Sequence, residues 1–107
     1  MKVYEKRTYS VKVGQMPEVI RLYSELGWPA LEAGGFSNKL VGYFVSDTGP
    51  LHQLIHIWRF DDDADRRDFW KRLFADEAFM KFAVQARPNL NTQEIQLMVS
   101  APWGPQP

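Results

Sequence analysis

The sequence of 107 residues contains no cysteine. A disulfide framework, a metal site built on thiolates and a cysteine nucleophile are therefore excluded. An excess of charge of either sign is also absent, because thirteen acidic residues balance thirteen basic ones. Nucleic-acid binding depends on a basic surface that displaces counterions from phosphates. The composition supplies no such surface, and we expect no nucleic-acid partner.

Long hydrophobic runs are missing as well. No stretch approaches the roughly eighteen apolar residues of a membrane-spanning helix, and residues 1–25 lack the uninterrupted apolar core of a secretory signal. We therefore expect a cytoplasmic protein with no membrane partner. Glycine-rich nucleotide-binding motifs and the Gly-x-Ser-x-Gly motif do not occur. His52 and His56 would lie about 13 Å apart on a strand, too far to share one ion, and we expect neither a metal nor a cofactor.

The proportions of hydrophobic and charged residues are those of a folded globular protein. Hydrophobic residues make up 45% and charged residues 24% of the chain, and the length suits a single domain over residues 1–107. Aromatic residues reach 14%, a level that serves cores, ligand pockets and subunit interfaces alike. Opposite charges at the i, i+4 spacing, as in Asp62–Arg66 and Asp68–Arg72, predict a solvated helix face.

Four segments have the composition of β-strands: residues 3–10, 38–46, 53–60 and 91–99. The turn sequence Asp47-Thr48-Gly49-Pro50 joins the second and third strands into a hairpin. Neither hairpin strand alternates cleanly between apolar and polar residues, which favours a sheet covered on both faces. The last seven residues contain three prolines, and we expect an irregular tail over 101–107.

Two helical regions are predicted between these strands. The first begins near Pro17, and the pair Trp28-Pro29 is expected to disturb it, because a proline pushes the preceding residue away from helical angles. The second begins at the acidic run 61–63, which suits a helix N-terminus. Asp76 is predicted to cap a further helix, which ends before Pro88.

The order of elements is β-α-β-β-α(α)-β, the split βαβ arrangement of ferredoxin-like α+β folds. Right-handed crossovers give the four-stranded antiparallel sheet the order 4-1-3-2 and place both helical regions on one side. The other side of the sheet, which also looks apolar, is then uncovered unless another molecule covers it. Because exposed apolar faces mark interfaces, we expect a homodimer.

Side chains that could carry chemistry lie on the first strand. Glu5, Arg7 and Tyr9 point to the same face, because strand side chains alternate. Arg7 could hold a carboxylate or a phenolate of a small molecule, and Tyr9 could donate a hydrogen bond to a carbonyl. The alternative is structural: Glu5 and Arg7 neutralise each other in the interior.

The third strand adds the second half of the candidate site. Ile55 and Ile57 suit packing against the helices, which would place His56 and Trp58 on the face of the sheet that no helix covers. His56 could act as a general base near neutral pH, or it could be a hydrogen-bonded core residue. The candidate catalytic residues are His56, Arg7 and Tyr9. The candidate ligand-binding residues are Glu5, Trp58 and Tyr43, with Phe44 replacing Tyr43 in the other register.

Three segments resemble the NIPSNAP family: YEKRTYSVKVGQMPE, KLVGYFVSDTGPLHQLIHIWRFD and ARPNLNTQEIQLMVSAP. They follow one another in order and spacing from Tyr4 to about Pro102. The resemblance implies a dimeric α+β barrel, in agreement with the topology above. Lys6 stands where the opening strand of the family typically has leucine, so we expect Lys6 to snorkel or to lie near an edge.

The resemblance brings little function, since the family is largely uncharacterised. Related dimeric α+β barrels include cofactor-free monooxygenases, isomerases, cyclases and haem enzymes, which offer analogy of fold alone. Three hypotheses follow. The first is a homodimer that binds a small organic molecule in a cleft between sheet and helices. The alternatives are a cofactor-independent enzyme with His56 as base and a protein-interaction module.

Overall fold

A computed structural model describes residues 1–107 and contains one antiparallel sheet. The strands are β1 Val3–Val11, β2 Leu40–Val45, β3 Gln53–Phe60 and β4 Leu90–Met98. Their order is β2-β3-β1-β4, which is the predicted order 4-1-3-2 read from the opposite edge. The predicted ferredoxin-like α+β topology is confirmed.

Four helices accompany the sheet: α1 Met16–Leu22, α2 Trp28–Ala33, α3 Asp63–Phe74 and α4 Glu77–Ala86. Short 3₁₀ turns, Phe36–Lys39 and Arg87–Asn89, lead into β2 and β4. None of the helices has both the length and the hydrophobicity needed to cross a membrane.

The helix is disturbed just before Trp28-Pro29, as predicted, but the reason given for it is wrong, since Trp28 keeps helical angles. Trp28 has helical angles, φ −62° and ψ −47°, and a π-helical turn over Tyr23–Gly27 joins α1 directly to α2. The backbone N–H of Trp28 donates to the carbonyl oxygen of Tyr23, five residues earlier. The wider turn accommodates Pro29, whose ring would clash with the preceding turn of an ordinary α-helix.

A close approach at Gly27 fixes this turn against α4. A Cβ at this position would lie only 2.8 Å from the nearest ring carbon of Phe82, so a larger residue would force the two helical segments apart. Tyr23, at the start of the turn, also packs on Phe82, with ring centroids 4.6 Å apart. The π turn therefore packs against α4 through Tyr23 and Gly27, while the three residues between them are exposed.

The helix start at the acidic run 61–63 and the cap at Asp76 are confirmed. Asp62 accepts a hydrogen bond from the backbone N–H of Asp65, and Asp76 accepts one from that of Phe79. The Asp68–Arg72 ion pair also forms, at 2.9 Å. The predicted Asp62–Arg66 pair does not form, because Asp62 is engaged as the cap and Arg66 turns toward the sheet.

The predicted faces of β3 are wrong. In the ladder Glu5 lies opposite Trp58 and Arg7 lies opposite His56, and all four side chains are buried beneath the helices. Alternation then places Ile55 and Ile57 on the face without helices. Aromatic rings bury more area than aliphatic side chains, and here they form the core. Its main cluster comprises Leu31, Phe36, Trp58, Phe60, Phe69, Trp70 and Leu73.

The face without helices, which we call the open face, is apolar over only half of its width. Around β2 and β3 it presents Phe44, Ile55 and Ile57, and Phe44 is 53% exposed. Around β1 and β4 it is mostly polar: Lys6, Thr8, Ser10, Thr92, Glu94 and Gln96 lie there, and the pair of Tyr4 and Met98 at one end is the apolar exception. The prediction of two apolar faces thus holds for the β2–β3 half and this end alone, and Lys6 needs no snorkelling because its strand position faces away from the core.

Candidate functional site

A buried ion cluster lies at the centre of the helix-covered face. Arg7 Nε donates to Glu5 Oε2 at 2.6 Å, and Arg66 Nη1 donates to Glu5 Oε1 at 2.9 Å. Glu5 is completely buried, so both of its oxygens need partners, and α3 supplies the second one through Arg66. The prediction that Glu5 and Arg7 neutralise each other is correct, but it missed Arg66.

Arg7 has additional neighbours on the inner side. Its guanidinium carbon lies 3.7 Å from the centroid of the Trp70 ring, a cation–π contact. Its Nη1 also donates to the hydroxyl of Tyr9 at 3.4 Å, a long hydrogen bond. Burial alone would lower the pKa of Arg7, but the opposite effect of Tyr9 and Glu5 together is larger. The pKa of Arg7 is therefore raised above its ordinary value, and Arg7 stays charged in the interior.

His56 is a neutral imidazole whose two nitrogen atoms have different roles. Trp58 Nε1 donates to His56 Nδ1 at 2.6 Å, which assigns the ring proton to Nε2. Nε2 is buried and has no hydrogen-bond partner. Burial first, and then the nearby charge of Arg7, lower the pKa of His56 to about 3.

Two tyrosines hold the imidazole in place. Tyr43 stacks on His56 with an interplanar angle of 14°, and Tyr9 meets it edge-on, both at 4.8 Å between centroids. Trp70 Nε1 is a second buried N–H group without a partner. The site thus contains two orphaned donors next to a buried cation, whereas no buried side-chain acceptor is left unpaired.

Two cavities flank this cluster. A small one, about 50 Å³, lies between β1, β4 and α4, and both Arg7 and Tyr9 line it. A larger groove of about 540 Å³ runs between the α1–α2 segment and the β2–β3 half of the sheet. Eight of the nine residues of the groove are hydrophobic: Val19, Ile20, Tyr23, Trp28, Leu40, Tyr43, Val45 and Leu54, with Ser24 the exception.

The structure brings all six predicted site residues into one contiguous group. Tyr43, rather than the alternative Phe44, faces His56 in the ladder. His56 does not reach the wall of the groove, because Tyr43 lies between the two. The roles predicted for these side chains, His56 as base among them, stay predictions.

The sequence did not reveal three further members, Tyr23, Arg66 and Trp70. Each lies on a helix and reaches the site only through the tertiary packing of that helix on the sheet. Tyr23 falls within the first predicted helical region, yet no pattern indicated that it lies between two cavities. No group of three or more histidine, aspartate or glutamate side chains converges as a metal site would require.

A model of the NIPSNAP family matches residues 4–105. The chain belongs to the NIPSNAP family. Among curated NIPSNAP proteins, NipSnap homolog 3A of Homo sapiens is 26% identical over 102 residues, which cover 94% of this chain and 40% of that protein. The NipSnap homolog of Dictyostelium discoideum is 24% identical over 103 residues, 92% of this chain and 42% of its own length. The chain therefore spans about two fifths of these relatives.

Solved NIPSNAP structures share the fold closely. A family member from Agrobacterium tumefaciens superimposes with a TM-score of 0.89 at 27% identity, over 96% of this chain and 89% of that one. A second protein from the same organism, described as of unknown function, has 32% identity and a TM-score of 0.88, over 97% and 92% of the two chains. An antibiotic biosynthesis monooxygenase, at 17% identity and a TM-score of 0.63 over 94% and 99%, shares the fold alone.

The depressed pKa of His56 makes stability depend on pH. The unfolded chain takes up a proton on this imidazole near its ordinary pKa of about 6.5, whereas the folded protein does so only near 3. Stability is therefore complete above about pH 6.5 and decreases as the pH falls toward 3. Between pH 7 and 5 the loss should be about 2 kcal/mol in the free energy of unfolding.

Urea unfolding at several pH values measures this loss. His56→Gln keeps an acceptor for Trp58 and should remove most of the decrease between pH 7 and 5. The matched control is His52→Asn in the β2–β3 connection, which removes the other imidazole and should keep the decrease because His56 is still present. An unchanged pH dependence in His56→Gln would show that His56 titrates normally in the folded protein.

Proposed function

We propose that the protein is a homodimer that binds a small, predominantly apolar organic molecule in the groove between the α1–α2 segment and the sheet. The observation that carries this proposal is the groove itself. Its volume of about 540 Å³ lies within the range of sites for drug-sized ligands. Ile20, Trp28 and Val45, which line it, are each more than a third exposed, so a ligand would cover apolar surface that water now contacts.

The alternative that receives support from the geometry is a cofactor-independent enzyme. Arg7, Tyr9 and His56 lie side by side, as a site that polarises a bound carbonyl would require. The hydrogen bond from Trp58 occupies the free lone pair of His56, so the imidazole suits donation from Nε2 better than removal of a proton. The enzyme hypothesis therefore favours an electrophilic role for His56 over the role of general base.

The groove can be tested with N-phenylnaphthylamine, a neutral dye whose fluorescence rises in apolar sites. The protein should bind the dye saturably. Ser24→Trp introduces an indole into the volume that the dye needs and should weaken binding by about tenfold or more. Glu25→Trp is the matched control, because Glu25 is the next residue, is exposed and does not line the groove.

Binding in the control should equal that of the unmodified protein. Equal weakening in both tryptophan variants would indicate an effect on the π turn rather than on the groove. Absence of saturable dye binding to the unmodified protein would contradict the proposed function.

The homodimer rests on the apolar half of the open face. Phe44, Ile55 and Ile57 form a patch that no helix covers, and monomeric proteins rarely leave such patches exposed. The tail of residues 99–107 lies beside Ile57 and Val41 at one end of this face, where the Tyr4 hydroxyl donates to the main-chain oxygen of Pro107. A second copy of the chain, placed over Phe44, would bury the part of the patch that the tail leaves exposed.

Sedimentation velocity should give the mass of two chains at micromolar concentrations. Phe44→Glu places a charge in the proposed interface and should shift the protein toward monomer. The dissociation constant of the dimer should rise by about tenfold or more. Val84→Glu, on the outward side of α4 and 65% exposed, should leave the mass unchanged. A monomeric mass for the unmodified chain would rule the dimer out.

A further inference from the structure

The walls of the groove between the α1–α2 segment and the sheet contain no charged side chain. Their polar side-chain groups are the hydroxyls of Ser24, Tyr23 and Tyr43 and the indole N–H of Trp28. Burial is the largest cause that raises the pKa of Tyr23 and of Tyr43, so both phenols keep their protons. A charged ligand would therefore lose hydration in this groove without gaining a counter-ion from its walls.

The sheet wall of the groove contains a fixed aromatic ring, that of Tyr43. Tyr43 lies on the edge strand β2, and its inner neighbour on β3 is His56. The imidazole stacks on one face of the Tyr43 ring, at an interplanar angle of 14°. Because Tyr43 lines the groove and His56 does not, the groove lies on the other side of this ring. Trp58, at an angle of 82° to the ring, also holds its plane in place.

The helical wall contributes a second large aromatic side chain, that of Trp28. Its backbone N–H donates to the carbonyl oxygen of Tyr23, five residues earlier. In an ordinary α-helix a residue five positions on lies about 140° round the axis, whereas a π turn places it nearly one full turn on. The π turn therefore brings Trp28 over Tyr23, and both residues line the groove. Trp28 is 37% exposed, so its indole retains surface that a ligand can cover.

We propose that the ligand of the groove is an uncharged, flat aromatic molecule whose ring system lies between Tyr43 on the sheet wall and Trp28 on the helical wall. This proposal rests on the proposed function, because it needs the groove to be occupied. Aromatic rings in contact attract one another beyond the effect of their buried area. Walls without charge disfavour ions. An aliphatic chain gains nothing from the first effect, and the anion of an organic acid is disfavoured by the second.

Competition against bound N-phenylnaphthylamine tests the requirement for a flat ring. Naphthol and its saturated analogue decahydronaphthol share the two-ring skeleton and the hydroxyl group, but only naphthol is flat and aromatic. A groove that responds to apolar area alone would not prefer naphthol, since the saturated compound has at least as much apolar surface. We expect naphthol to displace the dye at a concentration lower by about fivefold or more. Equal displacement by the two compounds would overturn the aromatic ligand and leave the groove intact.

A second pair of compounds tests the charge. Naphthamide and naphthoate have the same rings and nearly the same shape, but only naphthoate is charged at neutral pH. We expect naphthamide to displace the dye at a concentration lower by about tenfold or more, because the carboxylate of naphthoate would lose hydration. Equal displacement, or a preference for naphthoate, would overturn the uncharged ligand. Absence of dye binding would remove the proposed function as well.

Two matched tryptophan variants locate the aromatic contact. Trp28→Leu keeps an apolar side chain in the helical wall and removes its ring, so it should reduce the preference for naphthol over decahydronaphthol by about threefold or more. Trp103→Leu is the control, because Trp103 is 76% exposed, belongs to the tail and does not line the groove. This variant should keep the full preference. An unchanged preference in Trp28→Leu would overturn the proposed position of the ligand.

A third measurement remains decisive if Trp28→Leu does not fold. An aromatic ring shifts the NMR signals of protons that lie over its plane. The indole signals of Trp28, identified by their loss in Trp28→Phe, should therefore move upfield when naphthol saturates the unmodified protein. They should move much less with decahydronaphthol. Unshifted Trp28 signals at saturating naphthol would overturn the proposal.

Discussion

The Glu5–Arg7 ion pair, buried on the helix-covered face of the sheet, is the constraint on which the rest of the structure depends. Breaking such a pair leaves an uncompensated buried charge, at a cost of about 3–5 kcal/mol. The second oxygen of Glu5 needs Arg66, which ties α3 to β1. The guanidinium of Arg7 needs the ring of Trp70 as a cover. The position of α3, and with it the aromatic core, therefore follows from the need to satisfy two charges.

Much of the fold could be predicted because it rests on local signals. The limits of β3, the helix start at the acidic run 61–63 and the cap at Asp76 depend on residues a few positions apart, and these predictions were correct. The face of β3 could not be predicted in this way, since a shift of one residue exchanges the two faces of a strand. The rule that aliphatic side chains face the helices failed because Trp58 and Phe60 offer more area for burial.

The candidate site likewise contains residues that local spacing could predict and residues that it could not. Side chains two residues apart on one strand are neighbours, so the group of Glu5, Arg7 and Tyr9 was visible in the sequence. The same spacing links Trp58 to His56, and it could have indicated that this imidazole accepts a hydrogen bond from the indole. Tyr23 and Trp70 join the site only because helices dock on the sheet, and nothing in a single sequence predicts that contact.

The interior presents hydrogen-bond donors around one buried cation, Arg7. The protonation state of His56 tests this arrangement most directly. Nitrogen-15 NMR of the imidazole in the unliganded protein reports which ring nitrogen carries a proton, and whether the ring is charged. We expect a neutral ring with the proton on Nε2 and an unprotonated Nδ1, unchanged from about pH 7 to pH 5 because the pKa of His56 lies near 3. A proton on Nδ1, or a charged ring in this interval, would contradict it.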